Sequence, residues 1–344
     1  MRHREIGNSA IRLLRHSALS GVVLLTSASA QAQDSVANFY RGRTISITIA
    51  YPPGGSYDIY SRLAAAHMSK YIPGQPKFIV QNRPGGIGVL TQFYNTAPRD
   101  GSTIGIFPET IAIVQLTQPE IGKWKTQELN YIGSFADVNA VFMIRKGAPA
   151  TTVEELRKTS INVGCNTRIG VSYINPAIMK KYGGLQFEII CGYPGTASLP
   201  IALARAEIDM VTGAWTGWRN RSEVTNREVK PIIQSGLARH KELSDVPLMQ
   251  EVISDPTGKK VAEFMSAGSA IGRALITPGG VPAERIAALR NAFDLFVKDP
   301  DFLRQAAEMN VELDPKPGLA TQAISDAILA TPHDVIQSAI EINK

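Results

Sequence analysis

The sequence predicts an α/β protein built as two α/β lobes with a ligand cleft between them, and three observations carry that expectation. Short β-branched runs alternate with helix-forming stretches. The alternation starts afresh near the middle of the chain, and glycine-rich turns stand at strand ends in both halves.

In chain order, residues 1–32 carry the pattern of a cleavable signal peptide. Arg2, Arg4, Arg12 and Arg15 precede an apolar run from Ala18 to Leu25, and small-residue sites at Ala28/Ala30 and Ala30/Ala32 offer cleavage. The run is too short to cross a bilayer as a helix, and no comparably long uncharged stretch follows. No cysteine follows it to take a lipid anchor, so the mature chain is expected to be free in the periplasm. The formal charge of +6 loses +3 with the leader, four arginines set against Glu5. The remaining +3 is too mild to indicate nucleic acid. A mature chain of about 310 residues exceeds the usual size of one hydrophobic core, which favours two domains.

Arg43 to Ala50 reads as a strand, Pro52-Pro-Gly-Gly55 as a forced turn, and the stretch after Ser56 or Asp58 as a helix with Ile59, Leu63, Ala66 and Tyr71 on roughly one face. Phe78 to Val80 follows as a strand, Asn82 to Gly86 as a loop, Val89 to Thr96 as a helix and Thr103 to Phe107 as a third strand, the rhythm of a mostly parallel sheet. After Tyr131 the pattern restarts. Strands are expected at 141–144, 161–165, 187–191 and 209–211, with helices at 154–158, 176–182 and 199–206. A return strand at 274–277 precedes helices at 282–298, 301–309 and 319–340. The expected division is 36–139 plus 268–344 for one lobe and 140–267 for the other, joined by crossing strands near 137–141 and 269–275.

The segment Tyr51-Pro-Pro-Gly-Gly-Ser-Tyr-Asp58 places glycines and a helix start directly after a strand. Exposed N–H groups and the helix dipole there favour an anion, although an ordinary strand-to-helix turn uses the same residues. The lysine and Ser/Thr pair that ends a Walker loop is missing. Asn82 to Gly88, Gly164 to Ser172 and Gly192 to Thr196 repeat the arrangement. Open α/β sheets bind ligands at the carboxyl ends of their strands, so two such edges facing each other would make one site.

Catalytic signatures are missing: there is no Gly-x-Ser-x-Gly, no His-Glu-x-x-His, and no thiol with a nearby histidine. His67, His240 and His333 read as solvated side chains. Two cysteines and five scattered histidines give no metal pattern. Cys165 and Cys191 are either a disulfide between neighbouring strands, as an oxidising compartment allows, or two buried thiols. Trp215 and Trp218, close to Arg219, are either a cleft wall or core packing.

Taken together, the motifs resemble the tripartite tricarboxylate transporter substrate-binding proteins, also called the Bug family. The matching stretches are Tyr51-Pro-Pro-Gly-Gly with Asp58 and Arg62, Gln81-Asn-Arg-Pro-Gly-Gly, Pro98-Arg-Asp-Gly-Ser-Thr103 and Tyr193-Pro-Gly. Ala206-Glu-Ile-Asp209, Asp245-Val-Pro247, Thr277-Pro-Gly-Gly-Val-Pro282 and Lys298-Asp-Pro300 continue the series. The resemblance implies a periplasmic-binding-protein-like fold with no catalytic residues, no metal and no cofactor. It would hold a ligand carboxylate by backbone amides between two loops. One side would be Tyr51, Gly54, Gly55, Ser56, Tyr57 and Asp58. The facing side would be Thr167, Arg168, Gly170, Ser172, Tyr193, Pro194, Gly195 and Thr196, with Asp209 near the cleft floor; Trp215 is a further candidate ligand contact, from this sequence alone.

The implied partner of this expected monomer is a membrane transporter of one large and one small subunit. This chain departs from the family at Cys165-Asn-Thr-Arg168, Tyr193-Pro-Gly195 and Gly213 to Trp218. Arg168 would suit a second carboxylate and Trp215 an aromatic ring, so a dicarboxylate and an aromatic carboxylate both stay open. A ligand-sensing receptor for a membrane kinase and an exported enzyme on a bilobal scaffold are the competing readings.

Overall fold

The computed structural model describes residues 35–168, 170–194 and 198–342, so the expected signal peptide lies outside the described residues. Its strands are β1 (Thr44–Ile49), β2 (Lys77–Asn82), β3 (Thr103–Ile106), β4 (Asn130–Ser134), β5 (Ala140–Arg145), β6 (Ile161–Cys165), β7 (Phe187–Cys191), β8 (Met210–Ala214), β9 (Val229–Ser235), β10 (Ala274–Thr277) and β11 (Lys316–Pro317). They form two sheets, ordered β11-β4-β10-β3-β1-β2 and β7-β6-β8-β5-β9. In β1, Ile45, Ile47 and Ile49 are fully buried on one face and Thr48 is buried on the other, as suits an inner strand covered on both faces.

Helices of seven residues or more flank the sheets. They are α1 (Ser56–His67), α2 (Ile87–Thr96), α3 (Ile111–Thr117), α4 (Val171–Lys181), α5 (Ser198–Ala204), α6 (Pro256–Ser266), α7 (Ala283–Phe296), α8 (Pro300–Glu308), α9 (Gly318–Leu329) and α10 (His333–Ile340). Pro176 sits inside α4 rather than at its start, so the helix begins five residues before the expected position. The stretch expected as one long helix at 319–340 breaks at Pro332, which caps α10.

The expectation of mostly parallel sheets needs correction. Strands β1, β2 and β3 are parallel, as are β6, β7 and β8, but β10 runs against β3 and β4, and β5 runs against β8 and β9. The reversed strands adjoin the segments that pass between the sheets and therefore enter from the opposite end.

Those segments are tied side by side. Val138 N–H donates to the Ser269 carbonyl at 2.9 Å, Arg273 N–H to that of Ala136 at 3.1 Å, and Phe135 N–H to that of Arg273 at 3.0 Å. A Cβ on Gly272, at φ +58°, would come within 1.8 Å of the Ala136 oxygen, so this approach requires glycine. A third segment joins them where Asp314 N–H donates to the Phe135 carbonyl at 2.9 Å. On it, Glu312 Oε1 meets His240 Nε2 at 2.6 Å. His240 is thus buried against an acid rather than solvated, and His67 Nε2 is likewise engaged by Gln305 Oε1 at 2.6 Å.

Candidate functional site

The turn between β1 and α1 is held by the side chains around it. Gly54, at φ +89°, turns its N–H onto Asp58 Oδ2 at 3.0 Å. Asp58, only 4% exposed, also accepts from Arg62 Nε at 2.9 Å and Asn82 Nδ2 at 3.0 Å. Asn82 Nδ2 further donates to the Tyr51 carbonyl at 3.1 Å. Burial pushes the Asp58 carboxyl up, but Arg62, the Gly54 N–H and Asn82 outweigh it and hold the group below its usual value. Asp58 and the Gly54 amide therefore shape the loop from within.

What the loop leaves open is the start of α1. Its N-cap, Gly55, offers no side chain, and the N–H groups of Gly55, Ser56, Tyr57 and Asp58 have no hydrogen-bond acceptor among the described residues. A Cβ on Gly55 would meet nothing within 4 Å. Unpaired donors at a dipole end make an anion site. The second glycine turn does the opposite, since Gly85 and Gly86 spend their N–H groups on the Ala50 carbonyl at 3.3 and 3.0 Å. It buttresses the first loop.

Two residues that the sequence did not single out complete this side. Arg273, 4% exposed, donates through Nε to Ser56 Oγ at 3.0 Å and through Nη1 to Tyr57 OH at 3.1 Å and Glu109 Oε2 at 2.7 Å. Tyr57 OH in turn donates to Glu109 Oε2 at 2.6 Å. The guanidinium lies 4.0 Å over the Tyr57 ring, which stacks on Tyr51 at 4.4 Å. Burial pushes the Tyr51 phenol up to about 12, so it is neutral at physiological pH. A lone Glu after β3 and an Arg before β10 carry no local motif, which is why spacing did not reveal them.

On the facing side, Gly170 caps α4 with no side-chain hydrogen bond, while Ser172 Oγ donates to Asn166 Oδ1 at 2.6 Å and accepts from Asn166 N–H at 3.3 Å. Thr167 N–H also bonds Asn166 Oδ1 at 2.7 Å, so Asn166, another residue not foreseen, organises the loop. Arg168 is exposed and rests on Tyr173, with Nη2 2.9 Å from its hydroxyl. Tyr193 is half-buried beside an apolar cluster and Pro194 is exposed. Gly195 and Thr196 lie outside the described residues. Cys165 and Cys191 are bonded, with their Cα atoms 4.3 Å apart across β6 and β7. The disulfide joins the roots of both loops on this side.

Two expected site residues lie elsewhere. Asp209 precedes β8, at the end of the sheet opposite the loops, where it pairs with Arg145 at 2.5 Å and accepts from Asn162 N–H at 3.0 Å. Strand β8 puts about 16 Å between it and the carboxyl edge. Trp215, 6% exposed, packs in the core of the second sheet and donates its indole N–H to Glu242 Oε2 at 2.8 Å. A buried indole needs such a partner, and Trp215 is not among the residues that line the cavity between the two sides. Between the two sides lies a cavity of about 40 Å³ lined by residues including Glu109, Thr110, Val171, Ala214, Ser235 and Ser269.

The family and the fold are shown by similarity to known proteins. Residues 60–328 match the family described as tripartite tricarboxylate transporter family receptor. The UPF0065 protein in the tcbD-tcbE intergenic region of Pseudomonas sp. strain P51 is 21% identical over 309 residues, 87% of this chain and 86% of that protein. Among solved structures, a TctC solute binding protein from Polaromonas superposes with a TM-score of 0.64 at 21% identity, over 87% of this chain and 99% of that one. Rpa4515 of R. palustris, solved with adipate, gives 0.64 at 18% identity, over 86% and 97%. Receptors of this kind are periplasmic and bind substrates rather than transform them. The chain belongs to the tripartite tricarboxylate transporter receptor family.

Proposed function

We propose that this protein is a periplasmic solute-binding protein, exported by the leader at 1–32, that captures a small carboxylate and delivers it to a tripartite membrane transporter of one large and one small subunit. One observation carries the reading: the uncapped start of α1, with the N–H groups of Gly55 to Asp58 unpaired and no side chain filling the space before them. A carboxylate there gains charge-assisted hydrogen bonds and the favourable end of a twelve-residue helix. At the start of α4, Gly170 N–H is spent on the Thr167 carbonyl at 3.4 Å, but the N–H groups of Val171 and Ser172 have no acceptor among the described residues and offer a second donor set from the lobe at 140–267.

The cavity between the two sides is lined by Glu109 and Thr110 from one and by Val171 and Ala214 from the other, with Val138 and Ser269 of the connecting segments between them. The paired segments at 135–139 and 269–273 are the natural hinge about which the lobes would open and close on a ligand. Contacts made by both lobes at once then favour the closed form. The adipate carried by a structural relative supports a carboxylate as the first class to test. The test is a thermal-shift screen of the mature chain against mono-, di- and tricarboxylates, aliphatic and aromatic. A ligand at 100 times its Kd should stabilise the native state by about 2.7 kcal/mol. A cooperative melt that no member of the panel moves would refute the reading.

A further inference from the structure

The cleft holds one acceptor that the carboxylate reading leaves unused. Glu109 lines the interlobe cavity. Its Oε2 is saturated by Tyr57 OH and Arg273 Nη1, while Oε1 has no hydrogen-bond partner among the described residues. The Glu109 side chain is 18% exposed, so it is sheltered but reachable. The same guanidinium that holds Glu109 holds Ser56, at the open start of α1. Glu109 and Ser56, the first residue of α1, are thus tied to one guanidinium, through Nη1 and Nε.

We propose that Glu109 determines specificity, selecting carboxylates that carry a hydrogen-bond donor, a hydroxyl or an ammonium, one or two carbons from the carboxyl group. The inference rests on the carboxylate reading and narrows it. Arg273 supplies the charge balance: it offsets Glu109, so the ligand carboxylate is not repelled, yet leaves Oε1 able to accept. A ligand without a donor leaves that oxygen desolvated and unpaired when the lobes meet, and one presenting a carbonyl oxygen sets acceptor against acceptor.

The test uses ligand quartets that differ only at the second carbon: the unsubstituted acid and its 2-hydroxy, 2-amino and 2-oxo derivatives, on butyrate, adipate and 3-phenylpropionate scaffolds. Calorimetry on the mature chain should show the hydroxy or amino member binding at least about tenfold tighter than the unsubstituted and oxo members of its scaffold. In Glu109→Gln, the donors of Arg273 and Tyr57 keep the amide oxygen on their side and turn the NH2 to the cavity. That exchange of an acceptor for a donor should reverse the order of the amino and oxo members, which general destabilisation would not do. Equal affinity across each quartet, or an unchanged order in Glu109→Gln, overturns the inference and leaves carboxylate binding intact. Binding by no scaffold, in a protein that melts cooperatively, overturns both.

Discussion

Gly55→Val isolates the carboxylate loop from the rest of the fold. The position is the N-cap of α1, at φ −83° and ψ 172°, extended backbone that valine adopts without strain, and a Cβ there meets nothing within 4 Å. The stability cost should be about 1 kcal/mol from the poorer N-cap preference of valine, a few °C in melting temperature. Binding should suffer far more. The two γ-methyls occupy the space in front of the α1 amides, and each hydrogen bond to a charged acceptor contributes about 1.5–3 kcal/mol. Blocking two weakens the complex by about 3–6 kcal/mol, roughly 10²- to 10⁴-fold in Kd. The assay pairs calorimetry against the best ligand from the carboxylate screen with a thermal melt of the apo protein. Wild-type affinity in the variant would refute the placement of the ligand at α1, and a melting point lowered by well over 10 °C would refute the open space at Gly55.

Four further outcomes are expected. Asp58→Asn should weaken binding at neutral pH by loosening the loop. Because the folded-state pKa of Asp58 lies below its ordinary 3.8, its stabilisation is complete above that value and is lost as pH falls through the lower folded one. A plot of melting temperature against acid pH should therefore be shallower in the variant than in wild type. Reducing the Cys165–Cys191 bond, which spans 26 residues, should cost about 3–4 kcal/mol on the loop-entropy estimate, read by denaturant melts with and without reductant. Arg168→Ala should weaken dicarboxylates more than monocarboxylates in calorimetry, since its guanidinium is exposed and rests only on Tyr173; equal losses would remove it from the site. Asp209→Asn should lower stability by about 1–3 kcal/mol through Arg145 and leave ligand affinity unchanged, which a melt and a titration together decide.

The strand and helix rhythm from Arg43 to Thr103, and again from Val141 to Cys191, was legible because local periodicity and turn chemistry are written in neighbouring residues. The same holds for the loop Tyr51 to Asp58, whose glycines and helix start mark an anion-friendly end wherever they occur. Cys165 and Cys191 were legible as a pair, though only the register of β6 and β7 brings their Cα atoms within bonding distance. Strand β9 was hidden because Pro231 interrupts it, whereas β10 was legible as a return strand at 274–277 and only its antiparallel pairing with β3 and β4 took the folded structure to show.

Tertiary structure alone decided what each polar group does. Asp58 turns inward to shape its own loop, Asp209 meets Arg145 at the far end of β8, and Trp215 finds Glu242 across the fold. Glu109 and Arg273, 164 residues apart in the chain, become partners beneath Ser56 and Tyr57. A buried charge or indole must be paired with whatever the folded chain brings near it, and that partner is set by long-range packing, which no local pattern records.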